Sequence, residues 1–348
     1  MRSESDWQVA APEDAGMDAG PLSAVADWLD ELAGANVHSL LVARQGRLVF
    51  EHYRKGPDQR WGETLPEAEH GVESLHDLRS VTKVVTGLLV GQALDAKLIP
   101  GLDTPVFDCL PDHAELRTPA KHGITVRHLL TMSAGLAWDE NLPISDPKHG
   151  EMRLWRSEDP VRTALEPSLV AKPGEVWNYA GGCTEILAAI LERAAGRPLD
   201  VFARETLFAP LGIAETEWAR LKNGAPSASG GLRMRARDLA KLGQLVLRRG
   251  RWGGEALLSE DWIAAALSPQ IGAPDRLFFY GYHWWLGRSL FRGREVAWAA
   301  GIGLGGQRLI VVPDLDLVVV ITAGHYADGL QAWLPLTILN RFVLASVR

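Results

Sequence analysis

Between residues 76 and 94, the apolar side chains of Val81, Val84, Val85, Leu88 and Leu89 recur at i, i+3, i+4, i+7 and i+8, the spacing of a helix with a wide buried stripe. This predicts a core helix starting near Ser80. Upstream, Leu22, Val25, Ala26, Trp28, Leu29 and Leu32 give residues 21–33 one apolar side, so a helix covering a sheet is expected there. Residues 39–43 and 47–53 are strand-like runs separated by Gln45-Gly46, which predicts a hairpin. The polar stretch 55–75 reads as a loop that delivers the chain to the Ser80 helix.

Beyond that helix the pattern changes. Residues 98–111 are broken by Pro100, Pro105 and Pro111, and residues 124–131 read as a short helix capped by Thr125. The stretch 139–173 is loop-rich, 183–195 is a periodic helix ending at Gly196, and 201–207 is another before Pro210. No strand pair is expected between about 105 and 225. Helices follow at 236–247 and 261–267, then strand-like runs at 282–286, 295–299, 307–312 and 317–322, and a closing helix at 328–343. Four successive strands with short turns favour an antiparallel meander. The expected fold class is α+β, an antiparallel sheet flanked by helices. Residues 1–104 and 226–348 would form one discontinuous α+β domain, and 105–225 an all-helical insertion.

Bulk properties narrow the partners. The chain has 348 residues, 47% apolar and 23% charged, with 36 Lys and Arg against 43 Asp and Glu. The net charge of -7 and the lack of a basic cluster argue against nucleic acid. Two cysteines, Cys109 and Cys183, are too few for a disulfide framework and are expected to pack as small hydrophobes. Met1 to Asp6 lead into polar residues without a signal-peptide core, and no run reaches spanning length. The expectation is a cytoplasmic protein that does not bind a membrane. No residue cluster in the sequence calls for a metal or an organic cofactor. The thirteen tryptophans are expected mainly in the core, with a few lining a pocket.

Chemistry concentrates at the start of the Ser80 helix. Ser80 and Lys83 are three residues apart, so on a helix the ammonium lies beside the hydroxyl. Serine is a weak nucleophile until a base takes its proton, and an amine can do so if burial lowers its pKa. The first helical turn also offers free N–H groups to a developing oxyanion. Spacing alone is weak, because Ser145-Asp146-Pro147-Lys148 matches too. There Pro147 and the surrounding polar residues predict a loop, where i and i+3 share no fixed face.

Two further stretches strengthen Ser80. Pro173-Gly174-Glu175-Val176-Trp177-Asn178-Tyr179 places a tyrosine in a turn before a helix, and residues 298–307 form a glycine-dense entry to a strand. Together with Ser80-Val81-Thr82-Lys83, they resemble the serine hydrolases related to class C β-lactamases, a family that includes D-alanyl carboxypeptidases, esterases and 6-aminohexanoate-dimer hydrolases. Residues 101–106, 129–136 and 237–243 agree with that family in order. The resemblance implies a β-lactamase/transpeptidase-like fold with Ser80 as the acylated nucleophile, and with Lys83 and Tyr179 as the proton relay. It also implies an oxyanion hole from the Ser80 backbone N–H and one N–H of the segment 301–304, with Leu304 favoured. Phenol and ammonium have ordinary pKa values of about 10 and 10.4, near enough to share a proton when desolvated together.

The departures from the family bear on substrate. Its Tyr-x-Asn reads Tyr179-Ala180-Gly181, and its Lys-Thr-Gly or His-x-Gly reads Ala299-Ala300-Gly301. A β-lactam carboxylate would thus lack its usual partners. The expected activity is hydrolysis of a small ester or amide through an acyl-enzyme. The alternatives are a β-lactamase or D-alanyl carboxypeptidase and, in another class, a non-catalytic module that captures an acyl ligand. Gly181, Gly303, Trp155, His325 and Tyr326 are candidate substrate contacts, as is Trp333, while His283 reads as structural.

Overall fold

The computed structural model describes residues 7–273 and 278–348. Met1 to Asp6, on which the reading of a missing export signal rests, lie outside the described residues. Helix α1 (Ala19–Glu31) starts at Asp18, whose carboxylate accepts the Gly20 N–H and supplies one of the partners a helix start lacks. The expected hairpin is present as β1 (Val37–Arg44) and β2 (Arg47–Tyr53). Gln45 and Gly46 make its turn at φ 53° and 74°, the sense of twist a two-residue hairpin turn needs.

One eight-stranded sheet organises the chain. Its order is Ile271–Gly272, Phe279–Tyr280, Trp285–Phe291, Arg294–Gly303, Gln307–Val312, Leu317–Ala323, β1 and β2, with every pairing antiparallel. The expected meander is therefore real, and the N-terminal hairpin docks on its last strand, Leu41 opposite Val320. Alternate residues leave opposite faces of a strand. Leu41, Ala43, Val318 and Val320 join one buried cluster, whereas Leu40, Val42, Val319 and Ile321 join a second with α1 and the C-terminal helical turns. Burial on both faces explains the unbroken apolar run at 317–321.

The Ser80 helix begins with a tight 3-10 turn, Arg79–Val81, that feeds α2 (Thr82–Asp95). All residues from Thr82 to Ala93 are buried, so α2 is surrounded rather than striped, the mark of an interior helix. Gly181–Ala195 stops at Gly196, which is left-handed at φ 66°. That helix, Val126–Leu130 and Pro160–Leu165 share a single buried cluster with α2 and one sheet face.

Three expectations need correcting. The stretch 55–75 is no loop. It holds β3 (Gly56–Arg60) and β4 (Glu63–Ala68), turning at Trp61 and Gly62, and then reaches β5 (Leu75–Asp77). The inward residue of β3 is Asp58, so no apolar alternation marked the strand. Between 105 and 225 one short strand does occur, Glu217–Trp218, paired with Leu232–Arg235. The 282–286 strand is displaced to Trp285–Phe291, because Gly281 N–H bonds Trp284 O and His283 turns at φ 62°. Among the described residues, no helix is long and apolar enough to cross a membrane.

Candidate active site

Strand β5 ends two residues before Arg79, a non-glycine residue at φ 49°. Such a conformation costs on the order of 1–3 kcal/mol and needs surrounding support. The Arg79 guanidinium has it: Nη2 donates to Gln59 Oε1 at 3.1 Å, lies 3.2 Å from Asp77 Oδ2, and the group sits 5.1 Å from the Tyr326 ring centre. Ser80 follows in the 3-10 turn, half-buried.

Lys83, only 3% exposed, donates from Nζ to Ser80 Oγ at 3.1 Å and to the Ser229 carbonyl at 2.6 Å, and lies 4.9 Å from the Tyr179 ring centre. The fold thus brings together the three residues expected to carry catalysis. Burial pushes the Lys83 pKa down, but Tyr179, Glu140 and Glu151 push it up and prevail, so it lies above the ordinary lysine value. The sequence reading required the opposite direction. The acids that gather around it are distant in sequence, so the helix pattern did not announce them.

Ser229 is itself held. The Glu185 carboxylate accepts the Ser229 N–H at 3.0 Å, the Ser229 hydroxyl at 2.6 Å and the Ala228 N–H at 3.2 Å. Tyr179 stands in an aromatic wall, its ring 6.0 Å from both Trp177 and Trp285, so some tryptophans do line the site.

Gly181 opens the helix behind Tyr179, and its N–H donates to Glu140 Oε1 at 2.6 Å. Trp138 Nε1 donates to the same oxygen at 2.7 Å. A Cβ on Gly181 would fall 2.9 Å from Glu140 Oε1. A side chain at Gly181 would therefore crowd a carboxylate from another loop. Burial raises the Glu140 pKa, against the pull of Lys83. Sequence reasoning missed Glu140, because nothing local joins it to Tyr179.

On the sheet side, a Cβ on Gly301 would meet Val84 at 2.9 Å and Val81 at 3.0 Å, and one on Gly303 would lie 2.4 Å from the Leu78 carbonyl. Glycine is needed for the strand to lie against the nucleophile's turn. The neighbouring strand begins at Trp285, opposite Ala300, so, among the described residues, 301–303 pair only with the strand Gln307–Val312. Leu304 comes just after the strand and is 41% exposed.

The weaker candidates divide. His325 is buried and both ring nitrogens are engaged, Nε2 with the Asn36 N–H and Nδ1 with Asp328 Oδ2, each at 3.0 Å. It ties the chain after the last strand to Asn36 and Asp328. The Tyr326 hydroxyl donates to Asp58 Oδ1 at 2.9 Å, and its ring lies under the Arg79 guanidinium. Trp155 ends the helix Gly150–Trp155 half-buried, and Trp333 is 45% exposed on Leu330–Thr337. His283 is buried beside Thr184, 3.3 Å from its hydroxyl, and burial holds its pKa down to about 3. Ser145 and Lys148 lie exposed in turns, as expected of the decoy. Both cysteines are free. Cys183 is buried and its thiol is pushed up to about 12, while Cys109 is half-buried. A cavity of about 630 Å³ opens beside Trp138 and Asn178, lined also by Lys148, Arg153 and Ser168.

A second constellation, which no sequence cluster called for, has a donor set that could hold a metal ion. His38, Asp58, His70 and His76 converge, with one nitrogen or oxygen from each inside a 4.8 Å span. They come from three strands and a connecting loop, so no local spacing announced them.

The family model for Beta-lactamase matches residues 25–328. Over 302 residues, the chain is 28% identical to the 6-aminohexanoate-dimer hydrolase of Paenarthrobacter ureafaciens, covering 81% of this chain and 71% of that protein. It is 29% identical to esterase EstB of Burkholderia gladioli, over 50% of this chain and 44% of the esterase. That second match spans less than half of the esterase's own length. Among solved structures, EstCE1, a hydrolase with promiscuous acyltransferase activity, superposes with a TM-score of 0.71 at 19% identity, covering 94% of this chain and 98% of that one. The octameric penicillin-binding protein homologue from Pyrococcus abyssi gives 0.68 at 20% identity, over 93% and 77%.

Proposed function

The chain belongs to the Beta-lactamase family and is a serine hydrolase, and from that premise we propose that it cleaves a small ester or amide through an acyl-enzyme on Ser80. The observation that carries this reading is the buried Lys83 Nζ, 3.1 Å from Ser80 Oγ and over the Tyr179 ring. Ser80 Oγ attacks the substrate carbonyl and forms the new C–O bond. Its proton passes to the Tyr179 oxygen, which the adjacent Lys83 ammonium stabilises, and from there to the departing alcohol or amine. A water then attacks the acyl-enzyme through the same relay, and the proton returns to Ser80. The oxyanion accepts the Ser80 N–H and one N–H of the segment 301–304, with Leu304 as the leading candidate.

Glu140 bears on the substrate. A buried acid beside Gly181 offers no donor amide to the carboxylate of a β-lactam or a D-alanyl peptide, and neither Ala299 nor Ala300 offers a cation. A neutral ester or an amide carrying no nearby anion suits the site better. The relatives named as a 6-aminohexanoate-dimer hydrolase and an esterase support the same choice.

The test is turnover of p-nitrophenyl acyl esters and a chromogenic cephalosporin by the same preparation. The expected result is ester hydrolysis, with the cephalosporin slower by about a hundredfold or more in kcat/KM. A faster cephalosporin would establish the β-lactamase alternative instead. Stoichiometric acylation without release would establish the acyl-binding module.

A further inference from the structure

We propose that His38, Asp58, His70 and His76 form a binding site for a divalent transition-metal ion of the zinc class, serving as a structural clamp beneath the nucleophile's turn. Three imidazoles and one carboxylate are a donor set suited to zinc. Tetrahedral zinc, with bonds of about 2.0–2.1 Å, holds its donor atoms roughly 3.3 Å apart. Here His38 Nδ1 and His76 Nε2 are 2.8 Å apart, and Asp58 Oδ1 is 3.8 Å from the first and 3.5 Å from the second. His70 Nε2 is 3.8 Å from Asp58 Oδ2.

The hydrogen bonds around the rings say what the centre needs. His38 Nε2 lies 3.1 Å from the Pro57 carbonyl and 2.9 Å from Asn36 Oδ1, and His76 Nδ1 lies 3.0 Å from the Asp77 carbonyl. Carbonyl oxygens only accept, so each outer nitrogen carries the ring proton. With both rings neutral, each points a lone pair inward, and the two face each other across 2.8 Å. A cation between them removes the repulsion. Outer carbonyl partners that fix the tautomer are what metal-ligating histidines use. Tyr326, donating to Asp58 Oδ1 at 2.9 Å, orients the carboxylate in the same way.

His70 supplies an independent sign. Its side chain is 6% exposed, yet Nε2 is buried with no hydrogen-bond partner. The ring stacks on His38 at 4.1 Å between centres, so coordination requires it to tilt toward Asp58. A cavity of about 250 Å³, lined by Asp58, His70, Ser74 and Arg233, adjoins it and gives both the room and an entry path.

Four protein donors leave no position for substrate, which fits a structural rather than a hydrolytic ion. The clamp would tie β1, β3, the 69–74 connection and β5 together. Gln59, next to Asp58, holds Arg79, and His76 lies four residues before Ser80.

The test uses the full chain, stripped with a chelator and dialysed against zinc or cobalt(II). Metal content is read by plasma mass spectrometry, cobalt geometry by visible absorption and thermal midpoint by calorimetry. About one equivalent per chain, an intense tetrahedral cobalt spectrum and a raised midpoint are expected. His70→Ala, at the edge of the cluster and the variant least able to disturb folding, should weaken zinc affinity at least about tenfold and abolish the midpoint shift. His38→Asn tests the inner pair. A folded wild type that takes up no metal would overturn the proposal, and so would unchanged zinc affinity in both variants.

Discussion

The serine centre and the histidine cluster are built at opposite ends of one short segment, residues 76–83, yet they differ in how the chain specifies them. Ser80 and Lys83 meet because a helix places i and i+3 together. A short motif therefore announces the contact. His38, Asp58, His70 and His76 meet because a polar hairpin folds against β1 and β5. Nothing local announces that contact. Local geometry writes chemistry into sequence motifs, whereas sheet topology hides it.

If the two centres are chemically separate, Ser80→Ala should lower ester kcat/KM by about ten-thousandfold while leaving zinc uptake and the thermal midpoint unchanged. Loss of metal binding in that variant would join the two centres and break the comparison. Tyr179→Phe comes next, with an expected loss of about a thousandfold in kcat and little change in KM. A wild-type rate in this variant would remove the tyrosine from the relay.

Glu140 sharpens the account of charge. It is among the groups that raise the Lys83 pKa, so Glu140→Gln should lower that pKa. Where the ammonium is required, the alkaline limb of the pH–kcat/KM profile should then move to lower pH, by about a unit or less. An unmoved limb would separate Glu140 from Lys83.

The smallest expected effect belongs to His283. Its folded pKa is depressed to about 3 from 6.5, so below 6.5 the unfolded chain takes up a proton that the folded chain refuses. Its contribution to stability is full above 6.5 and falls away as the pH drops toward 3. His283→Asn, which keeps a residue tolerant of positive φ, should make the acid-side loss of denaturation free energy shallower. An unchanged slope would assign that loss elsewhere.

Much of the fold could be read from periodicity: α1, the β1–β2 hairpin, α2 and the last three strands of the meander all lay where apolar spacing put them. The hairpin β3–β4 could not, because its buried residue is Asp58 and its pattern is polar. Of the candidate site, Ser80, Lys83 and Tyr179 were visible through motifs that the fold brings together. Glu140, which fills the space above Gly181, and Glu185, which holds Ser229, were not. Both act across packed elements, and their roles depend on burial that sequence spacing does not encode. The direction of the Lys83 shift was misjudged for the same reason, since a greasy helix predicted desolvation but not the acids that outweigh it.

The most direct measurement is intact mass after exposure to a fluorophosphonate, with wild type and Ser80→Ala side by side. The account predicts one adduct on wild type, mapped to Ser80 by peptide sequencing, and none on the variant. An adduct on both proteins, or one on wild type mapped to any other residue, would contradict Ser80 as the nucleophile.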